Sequence, residues 1–332
     1  MTAGPLVEVK DLAKTFDVSA PWLNRVVERK PRQFVHAVDG VSFSIQRGQT
    51  LALVGESGCG KSTVARLLVG LYRPTRGSVQ FDGKDTHSAA DEAQLRLMRR
   101  RMQMIFQDPY ASLNPRWKVQ DIVGEPLTEH GLVTDVGELR SRVAELLLSV
   151  GLAGADVEKF PHQFSGGQRQ RISIARALAT QPEFLVCDEP TSALDVSVQA
   201  QVLNIMKDLQ RKQGLTYHFI SHNHAVVRHV SDRVGVMYLG RLVELADKAD
   251  LFSTPKHPYT RMLLDAIPDI HMSGRARTPV QGEVPNPLQP PTGCAFHPRC
   301  PHANARCSQE RPELKLFKGI AVACHAVEEG RI

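Results

Sequence analysis

The sequence predicts an α/β fold in which helices cover a largely parallel sheet. One observation is a set of short runs that are rich in β-branched residues and bounded by turn residues. These runs lie at 6–10, 41–46, 50–55 and 78–82. A second observation is that two later apolar runs, 184–188 and 216–221, are each followed by a polar turn and a helix-like segment. A helix is expected to begin at Lys61, directly after a strand and a glycine-rich turn.

The texture of the sequence changes twice along the chain. Residues 119–150 and 160–180 show helical spacing, which predicts a mostly helical insertion. The stretch 285–293 is too rich in proline for a helix or a central strand, so it predicts an extended linker. Three units are predicted. A discontinuous core comprises residues 1–107 and 181–254, a helical insertion comprises residues 108–180, and a C-terminal extension comprises residues 255–332.

Composition and charge exclude some classes of protein. The 332 residues are 42% hydrophobic and 23% charged, which excludes a disordered or collagen-like chain. Lys and Arg number 41 against 35 Asp and Glu, and the net charge of +6 fits nucleic acid, nucleotide phosphates or an anionic membrane equally. No apolar stretch approaches the roughly 18 residues of a membrane span, and no secretory signal is evident. The protein is expected to be cytosolic or to reach a membrane through a partner.

A phosphate-binding loop follows the strand at 50–55. Residues 55–63 satisfy the pattern G-x-x-x-x-G-K-[ST]. Its glycines let the backbone wrap an anion with inward N–H groups, and the following helix adds the positive end of its dipole. Lys61 is expected to reach the β- and γ-phosphates, and the Ser62 hydroxyl to bind Mg²⁺. The predicted ATP-binding residues of the loop are Gly55, Ser57, Gly58, Gly60, Lys61, Ser62 and Thr63.

Two adjacent acidic residues lie at the end of the apolar run 184–188. Asp188 stands at the end of this strand-like segment, and Glu189 follows it directly. A phosphate-binding loop needs an acid on another strand to hold Mg²⁺ through water, and this role is predicted for Asp188. Glu189 is placed to polarise an attacking water. One Asp at a strand end is about as often a helix cap, but adjacent acids after four apolar residues favour the magnesium role.

Four further motifs resemble those of a known family, the ATP-binding subunits of ABC transporters. Residues 164–168, Phe-Ser-Gly-Gly-Gln, resemble the signature LSGGQ, with Phe in place of the first Leu. Gln107 resembles the Q-loop glutamine, residues 192–195 resemble the D-loop, and His222 resembles the switch histidine. The resemblance implies a P-loop NTPase (RecA-like) core with an N-terminal antiparallel β-subdomain, a helical signature subdomain and a Cys-rich C-terminal extension.

The resemblance also implies a role for each residue. Glu189 is the general base, His222 contacts the γ-phosphate, and Gln107 binds Mg²⁺ and senses it. The signature residues and one D-loop residue contact ATP in trans, on a second nucleotide-binding domain. These residues are Ser165, Gly166, Gly167, Gln168 and Asp195. Family members stack an aromatic side chain on adenine, for which Phe16 is the best match, with the aromatic side chains at 34 and 36 as alternatives.

The C-terminal extension resembles a narrower branch of the family. Residues 257–268 (HPYTRMLLDAIP) and 290–301 (PPTGCAFHPRCP) resemble the extension of dipeptide and oligopeptide importer ATPases, nearest to the second of two paired ATPases. This implies a heterodimer with a homologous ATPase, two membrane-spanning permease subunits and, indirectly, an extracytoplasmic peptide-binding protein. It also implies a peripheral position on the cytoplasmic face of the inner membrane and no nucleic-acid partner. The loop 108–115 is expected to face the permease.

Other interpretations of function stay open at this point. Nickel and glutathione importers share the same plan, so the sequence leaves the cargo undecided. A soluble ABC ATPase that acts on nucleic acid or ribosomes usually carries two cassettes or a long coiled coil, whereas this chain has one phosphate loop. A metal-sensing regulator would use the extension as its sensor.

Four of the six cysteines lie in the C-terminal extension. They are Cys294, Cys300, Cys307 and Cys324. In a cytosolic chain such a group indicates a metal or cluster site rather than disulfides. Zinc usually takes short C-x₂₋₄-C spacings, which are missing here. Two alternatives remain: a zinc ion bound with the help of a nearby histidine, or four reduced thiols that bind no metal. The resemblance to importer tails implies a structural [4Fe–4S] cluster in an extension that has little core of its own.

Overall fold

The computed structural model describes residues 4–29, 31–87, 92–265 and 282–332. Within these residues the chain forms two β-sheets flanked by helices. The strands are β1 (Val7–Asp17), β2 (Phe34–Ile45), β3 (Thr50–Val54), β4 (Arg76–Phe81), β5 (Lys84–Asp85), β6 (Met102–Ile105), β7 (Phe184–Asp188), β8 (Thr216–Ile220), β9 (Arg233–Tyr238), β10 (Arg241–Asp247), β11 (Lys315–Phe317) and β12 (Ile320–Val322). The helices are α1 (Trp22–Glu28), α2 (Lys61–Leu68), α3 (Glu92–Arg101), α4 (Pro109–Ser112), α5 (Val119–Glu129), α6 (Val136–Ser149), α7 (Gly166–Leu178), α8 (Val196–Gln213), α9 (His224–Val230), α10 (Lys248–Ser253), α11 (Pro258–Asp265), α12 (Ala305–Gln309) and α13 (His325–Glu328). Short 3₁₀ helices lie at Gly154–Glu158, Pro161–Gln163 and His297–Arg299.

The N-terminal part of the chain forms a four-stranded antiparallel sheet of order β2-β1-β4-β5. Leu12 of β1 and Val41 of β2 are completely buried, and they share one core with Val64 and Leu67 of α2. Helix α2 begins at Lys61, as the sequence predicted. The sheet is the antiparallel β-subdomain that the resemblance implied, and it covers the helix that follows the phosphate loop.

The central sheet has eight strands in the order β11-β12-β10-β9-β3-β8-β7-β6. The pairs between β9 and β6 are parallel, whereas β10, β12 and β11 are added antiparallel at one edge. All residues of β3, β7 and β8 are buried, which explains why these strands are continuous apolar runs in the sequence. In such sheets ligands bind beyond the carboxyl ends of the strands. The phosphate loop follows β3 at this edge, and the paired acids end β7.

The chain between β6 and β7, which is described throughout, contains helices and no strand. Helix α6 begins at an N-cap, where Asp135 accepts the N–H of Glu138 at 2.8 Å. Its predicted apolar face is buried at Val143 and Leu147, and Val150 at its C-terminal end is also buried. This face packs against α5 and α7, so that the helices form their own layer beside the central sheet.

The longest described helix is α8, with 18 residues. Val202, Leu203, Met206 and Leu209 form its buried face, and most of its other residues are exposed or half-buried. In the ranges that the structure describes, no helix is both long and apolar enough to pass through a bilayer.

The C-terminal extension is part of the central sheet. Strand β12 pairs with β10, with Val322 opposite Glu244. Phe296 and Ile320 belong to the largest hydrophobic core of the molecule. Residues 285–293 contain neither helix nor strand, as predicted, but the segment leads back to the core. The expectation that the extension has little core of its own agrees with this arrangement, because Phe296 and Ile320 belong to the core of the rest of the chain.

Ile320→Ala is expected to lower the free energy of unfolding by about 2–4 kcal/mol, because it removes a packed side chain from the shared core. Ile320 is only 3% exposed. Leu316→Ala is the matched control in the neighbouring strand, where Leu316 is 77% exposed, and its effect should stay below about 0.5 kcal/mol. Urea unfolding of the full chain measures both. Equal effects of the two variants would contradict a shared core.

Candidate nucleotide site

The phosphate loop is held in close contact with two other backbone segments. Gly55 and Gly60 have positive φ angles of 151° and 107°. A Cβ at Gly55 would lie 2.2 Å from the carbonyl oxygen of Met237, and a Cβ at Gly60 would lie 2.1 Å from that of Ala37. Both positions therefore require glycine for space as well as for backbone conformation.

Lys61 is almost completely buried, and its ammonium is held by the loop itself. Its Nζ donates to the carbonyl oxygen of Gly55 at 2.8 Å and to that of Glu56 at 3.0 Å. The side chain thus folds back over the loop at the N-terminus of α2, where the helix dipole also attracts anions. This places a positive charge where the sequence predicted the β- and γ-phosphates.

Two of the three predicted magnesium ligands, Ser62 and Asp188, meet in the structure. The Ser62 hydroxyl donates to Asp188 Oδ1 at 2.9 Å. Burial raises the pKa of Asp188, although the hydrogen bond from Ser62 acts in the opposite direction. Oxygen atoms of a hydroxyl and a carboxylate are the kind of ligand that Mg²⁺ takes in proteins. The residues present therefore fit a magnesium ion at the carboxyl edge of the sheet.

The three predicted catalytic side chains converge at Glu189. Gln107 Nε2 donates to Glu189 Oε2 at 3.0 Å, and His222 Nδ1 lies 3.2 Å from the same oxygen. Glu189 has a φ of 47°, a left-handed conformation that is uncommon for a residue with a side chain and recurs at functional sites. Its backbone N–H donates to the carbonyl oxygen of Ile220 at 3.1 Å, which ties this conformation to the end of β8.

A cavity of about 510 Å³ opens over the phosphate loop. The predicted site residues that line it are Ser57, Gly58, Gly60, Lys61, Ser62, Thr63, Gln107 and Glu189. Gly55 is not part of the lining, and its backbone packs against that of Met237. The lining also includes Val35 and His36, and Pro287, Pro290 and Arg311 of the C-terminal extension. These last three residues could not be predicted from the sequence, since no local motif marks them.

Phe16, the residue predicted to stack on adenine, does not line this cavity. Its ring packs edge-on against Tyr72 with centroids 5.5 Å apart, and Lys14 Nζ lies 5.2 Å from its centroid. His36 does line the cavity, and its Nδ1 lies 3.1 Å from Thr15 Oγ1. The residue that stacks on adenine therefore stays a prediction, with Phe16, Phe34 and His36 as its candidates.

The signature motif lies at the start of α7, outside this cavity. Ser165 is the N-cap: its N–H donates to Gln168 Oε1 at 2.9 Å, and the Gln168 N–H donates to Ser165 Oγ at 3.4 Å. Both side chains are exposed, as is Asp195 at the start of α8. The lining of the cavity includes none of the three, so within the described chain they do not meet Lys61. A role in trans requires this separation.

The C-terminal extension also contacts the phosphate loop directly. Arg299 donates from both Nη atoms to the carboxylate of Glu56, at 2.8 and 3.0 Å. The backbone N–H of Glu56 donates to the Tyr259 hydroxyl at 2.9 Å. The partners lie 243 and 203 positions apart in the chain, which is why sequence reasoning did not connect them.

The four cysteines of the extension lie close enough to affect one another. The pKa of Cys294 is raised to about 11, chiefly because the thiol is buried and in smaller part by Cys324, Cys307 and Cys300, while a hydrogen bond from the Phe296 N–H to the sulphur acts in the opposite direction. All four cysteines are free thiols. Among the described residues, no group of three or more His, Cys, Asp or Glu side chains is arranged to hold a metal ion. Within the described residues, the ligands of the predicted cluster are therefore not already arranged as an ion site.

The sheet order, the phosphate loop and the side chains that converge on Glu189 define a nucleotide-binding ATPase cassette. Residues 38–192 match the family described as ABC transporter, and residues 243–307 match the oligopeptide/dipeptide transporter C-terminal region. The chain belongs to the ATP-binding subunits of ABC transporters, in the oligopeptide and dipeptide branch. Members of this class hydrolyse ATP to power transport, and this chain is an ATPase of that kind.

Curated relatives cover nearly the whole chain. The oligopeptide transport ATP-binding protein AppF of Bacillus subtilis (strain 168) is 48% identical over 96% of this chain and 97% of its own length. The di/tripeptide transport ATP-binding protein DppF of Pseudomonas aeruginosa (strain UCBPP-PA14) is 50% identical over 98% of each chain. Among solved structures, the dimeric ATP-binding cassette MJ0796 bound to ADP and Pi has a TM-score of 0.63, with 28% identity over 73% of this chain and 98% of its own.

Gly167→Ala is expected to destabilise the chain by about 1–3 kcal/mol, because a Cβ there would lie 2.3 Å from Val198 Cγ1 on the facing helix. Gly166→Ala is the matched control, since its nearest neighbour is Leu194 Cδ2 at 3.7 Å, and alanine normally favours a helix over glycine. Thermal unfolding measures both. Val198→Ala should recover most of the loss in the Gly167→Ala variant. Failure of this rescue would mean that the contact is not the cause.

Proposed function

We propose that this chain hydrolyses ATP to drive the import of dipeptides or oligopeptides through an ABC transporter in the cytoplasmic membrane. The observation that carries the proposal is the convergence of Gln107 and His222 on Glu189, in the cavity that also holds Lys61 and Ser62. Relatives of nearly full length are named as peptide transport ATP-binding proteins, and the matched C-terminal region supports the same class of cargo.

Phosphate binding begins at the loop and at Lys61. The Lys61 ammonium is held by two loop carbonyl oxygens, so an incoming phosphate meets a positive charge that needs little rearrangement. Ser62 directly, Asp188 through water, and Gln107 would hold Mg²⁺. When bound, the ion would supply positive charge that neutralises the charge developing on the phosphates. Phe16 is the proposed partner of the adenine ring, with His36, which lines the cavity, as the alternative.

Hydrolysis requires a base beside the γ-phosphate, and Glu189 is the proposed base. Gln107 and His222 hold its Oε2, so the carboxylate is fixed in direction before a water molecule arrives. The His222 side chain is 62% exposed and can turn from Glu189 to the γ-phosphate of bound ATP. The water oxygen bonds to the γ-phosphorus, its proton passes to the Glu189 carboxylate, and the bond from that phosphorus to the β–γ bridging oxygen breaks, so that ADP leaves. Lys61 and His222 stabilise the charge on the phosphate.

A complete site needs a second nucleotide-binding domain, for which we propose a homologous ATPase as heterodimer partner. The residues that would reach the partner's ATP are exposed at Ser165, Gln168 and Asp195, with Gly166 and Gly167 beside them. The similar cassette MJ0796 is described as dimeric with ADP and Pi, which supports pairing. Two permease subunits would dock on the loop 108–115, where Tyr110 is 60% exposed, and a peptide-binding protein would deliver cargo from outside. The chain would then sit peripherally on the cytoplasmic face of the membrane.

We also propose that Cys294, Cys300, Cys307 and Cys324 bind a [4Fe–4S] cluster. The sulphurs of Cys294, Cys300 and Cys324 each accept backbone N–H groups, a surrounding that suits cluster thiolates. Structural zinc sites favour short C-x₂₋₄-C spacings, which are missing among these four cysteines. The role of the cluster would be to tie the loops of the extension together.

Glu189→Gln is expected to retain ATP binding but to lower the rate of hydrolysis at least about 10²-fold, because the general base is lost. Lys61→Ala should instead abolish tight ATP binding, because the charge opposite the phosphates is removed. Phosphate release by the assembled transporter and ATP titration of the subunit separate the two effects. Hydrolysis by the Glu189→Gln variant at the wild-type rate would show that another group is the base.

The subunit is expected to hydrolyse ATP poorly alone and to gain activity with the paired ATPase and the permease, because Ser165 serves the partner's site. Affinity purification from solubilised membranes should recover these partners, and uptake of labelled dipeptides should depend on them. Full activity in a strict monomer, with no further gain on assembly, would contradict a site shared between two domains. Uptake of nickel or glutathione instead of peptides would reassign the cargo alone.

Anaerobic purification is expected to give about four irons and four sulfides per chain, with brown absorbance near roughly 400 nm. Cys300→Ser should lose both the iron and the colour. Cys187→Ser is the matched control, because Cys187 is buried in β7 and plays no part in the group. One zinc without sulfide in the anaerobic protein would overturn the cluster.

A further inference from the structure

The second residue of the phosphate loop, Glu56, is bound by the C-terminal extension through its side chain. The two Arg299 Nη atoms meet the two carboxylate oxygens at 2.8 and 3.0 Å, which is the paired geometry that makes Arg–carboxylate contacts strong. The Arg299 side chain is 3% exposed and that of Glu56 is 23% exposed. Water therefore screens this ion pair less than it screens an ordinary surface pair.

The extension also fixes the backbone of Glu56. The Glu56 N–H donates to the Tyr259 hydroxyl at 2.9 Å. Tyr259 packs against Tyr238 and Phe296, with ring centroids 4.7 and 5.4 Å apart. The Arg299 guanidinium lies 5.9 Å from the centroids of Tyr238 and Phe296. Arg299 and Tyr259, the two residues that hold Glu56, thus both pack in one aromatic cluster. The cluster is rigid because its rings are buried.

This contact matters for nucleotide binding because of charge. The carbonyl oxygen of Glu56 accepts a hydrogen bond from the Lys61 ammonium at 3.0 Å. The residue that carries an acidic side chain therefore also orients Lys61, the side chain expected to bind the phosphates. An acid in a loop that must bind a triphosphate repels it, unless a nearby positive charge compensates. Arg299 provides that charge from a segment more than two hundred residues away.

We infer that Arg299 is a positioning residue for ATP: it neutralises Glu56 and holds the phosphate loop, so that the C-terminal extension sets the affinity of the loop for nucleotide. The inference deepens the proposed function and rests on the phosphate-binding role of Lys61. It assigns to the extension a direct effect on the ATP site of its own chain.

The test compares full-length variants by calorimetric titration with a non-hydrolysable ATP analogue and Mg²⁺. Arg299→Ala is expected to raise the Kd about tenfold, because an uncompensated carboxylate is left in the loop. Adding Glu56→Gln to Arg299→Ala should bring the Kd back to within about threefold of the wild type, because the repelling charge is gone. Arg299→Lys, which keeps the charge without the paired geometry, should fall between the two and serves if the alanine variant does not fold.

A matched control is Arg306→Ala, since Arg306 pairs with Glu310, Glu328 and Glu329 inside the extension and not with the phosphate loop. Its Kd should stay within about twofold of the wild type. In the assembled transporter, Arg299→Ala should raise KM for ATP while kcat changes little, because Glu189 and His222 are untouched.

Each outcome separates the inference from the proposed function. If the wild type binds the analogue no better than Lys61→Ala does, the phosphate site itself is wrong. If the wild type binds well and Arg299→Ala matches it, only the inference fails. If Arg299→Ala weakens binding and Glu56→Gln does not restore it, Arg299 acts through general stability, and charge compensation is overturned.

Discussion

The close backbone contact of the phosphate loop with its neighbours is the constraint on which the rest of the site depends. At Gly55 and Gly60 a single Cβ would collide with the carbonyl oxygens of Met237 and Ala37. This contact fixes the curl of the loop, which in turn directs the Lys61 ammonium and brings Ser62 to Asp188. The nucleotide site is therefore set largely by backbone packing, and side chains add charge to a shape that already exists.

The C-terminal extension belongs to the same packing. Strands β12 and β11 extend the central sheet beyond β10, and Phe296 joins the largest core. A separate domain would have its own core and a small, polar interface with its neighbour. Here a shared core and the Arg299–Glu56 pair connect the extension to the phosphate loop, so changes in the stability or ligands of the extension are expected to reach the ATP site.

Much of the site could be predicted from the sequence because the residues lie in short motifs. A strand, a tight turn and a helix within about fifteen residues place Lys61 and Ser62 with little freedom. Asp188 and Glu189 were found in the same way, at the end of a buried strand. The Phe16 ring, the best match for the side chain that stacks on adenine, packs edge-on against Tyr72, whereas His36 lines the cavity. The short motif around Phe16 contains no information on these contacts, because tertiary packing decides them.

The sequence by itself determined the class of fold, the phosphate loop, the acids and the signature motif, because local backbone geometry and chemistry restrict those residues to few arrangements. Only the tertiary structure decided that Gln107 and His222 share one oxygen of Glu189, and that Arg299 and Tyr259 hold Glu56. These contacts join residues 33 to 243 positions apart. Sheet order and core packing bring such residues together, and both arise from the sum of many weak apolar contacts that no single stretch of sequence displays.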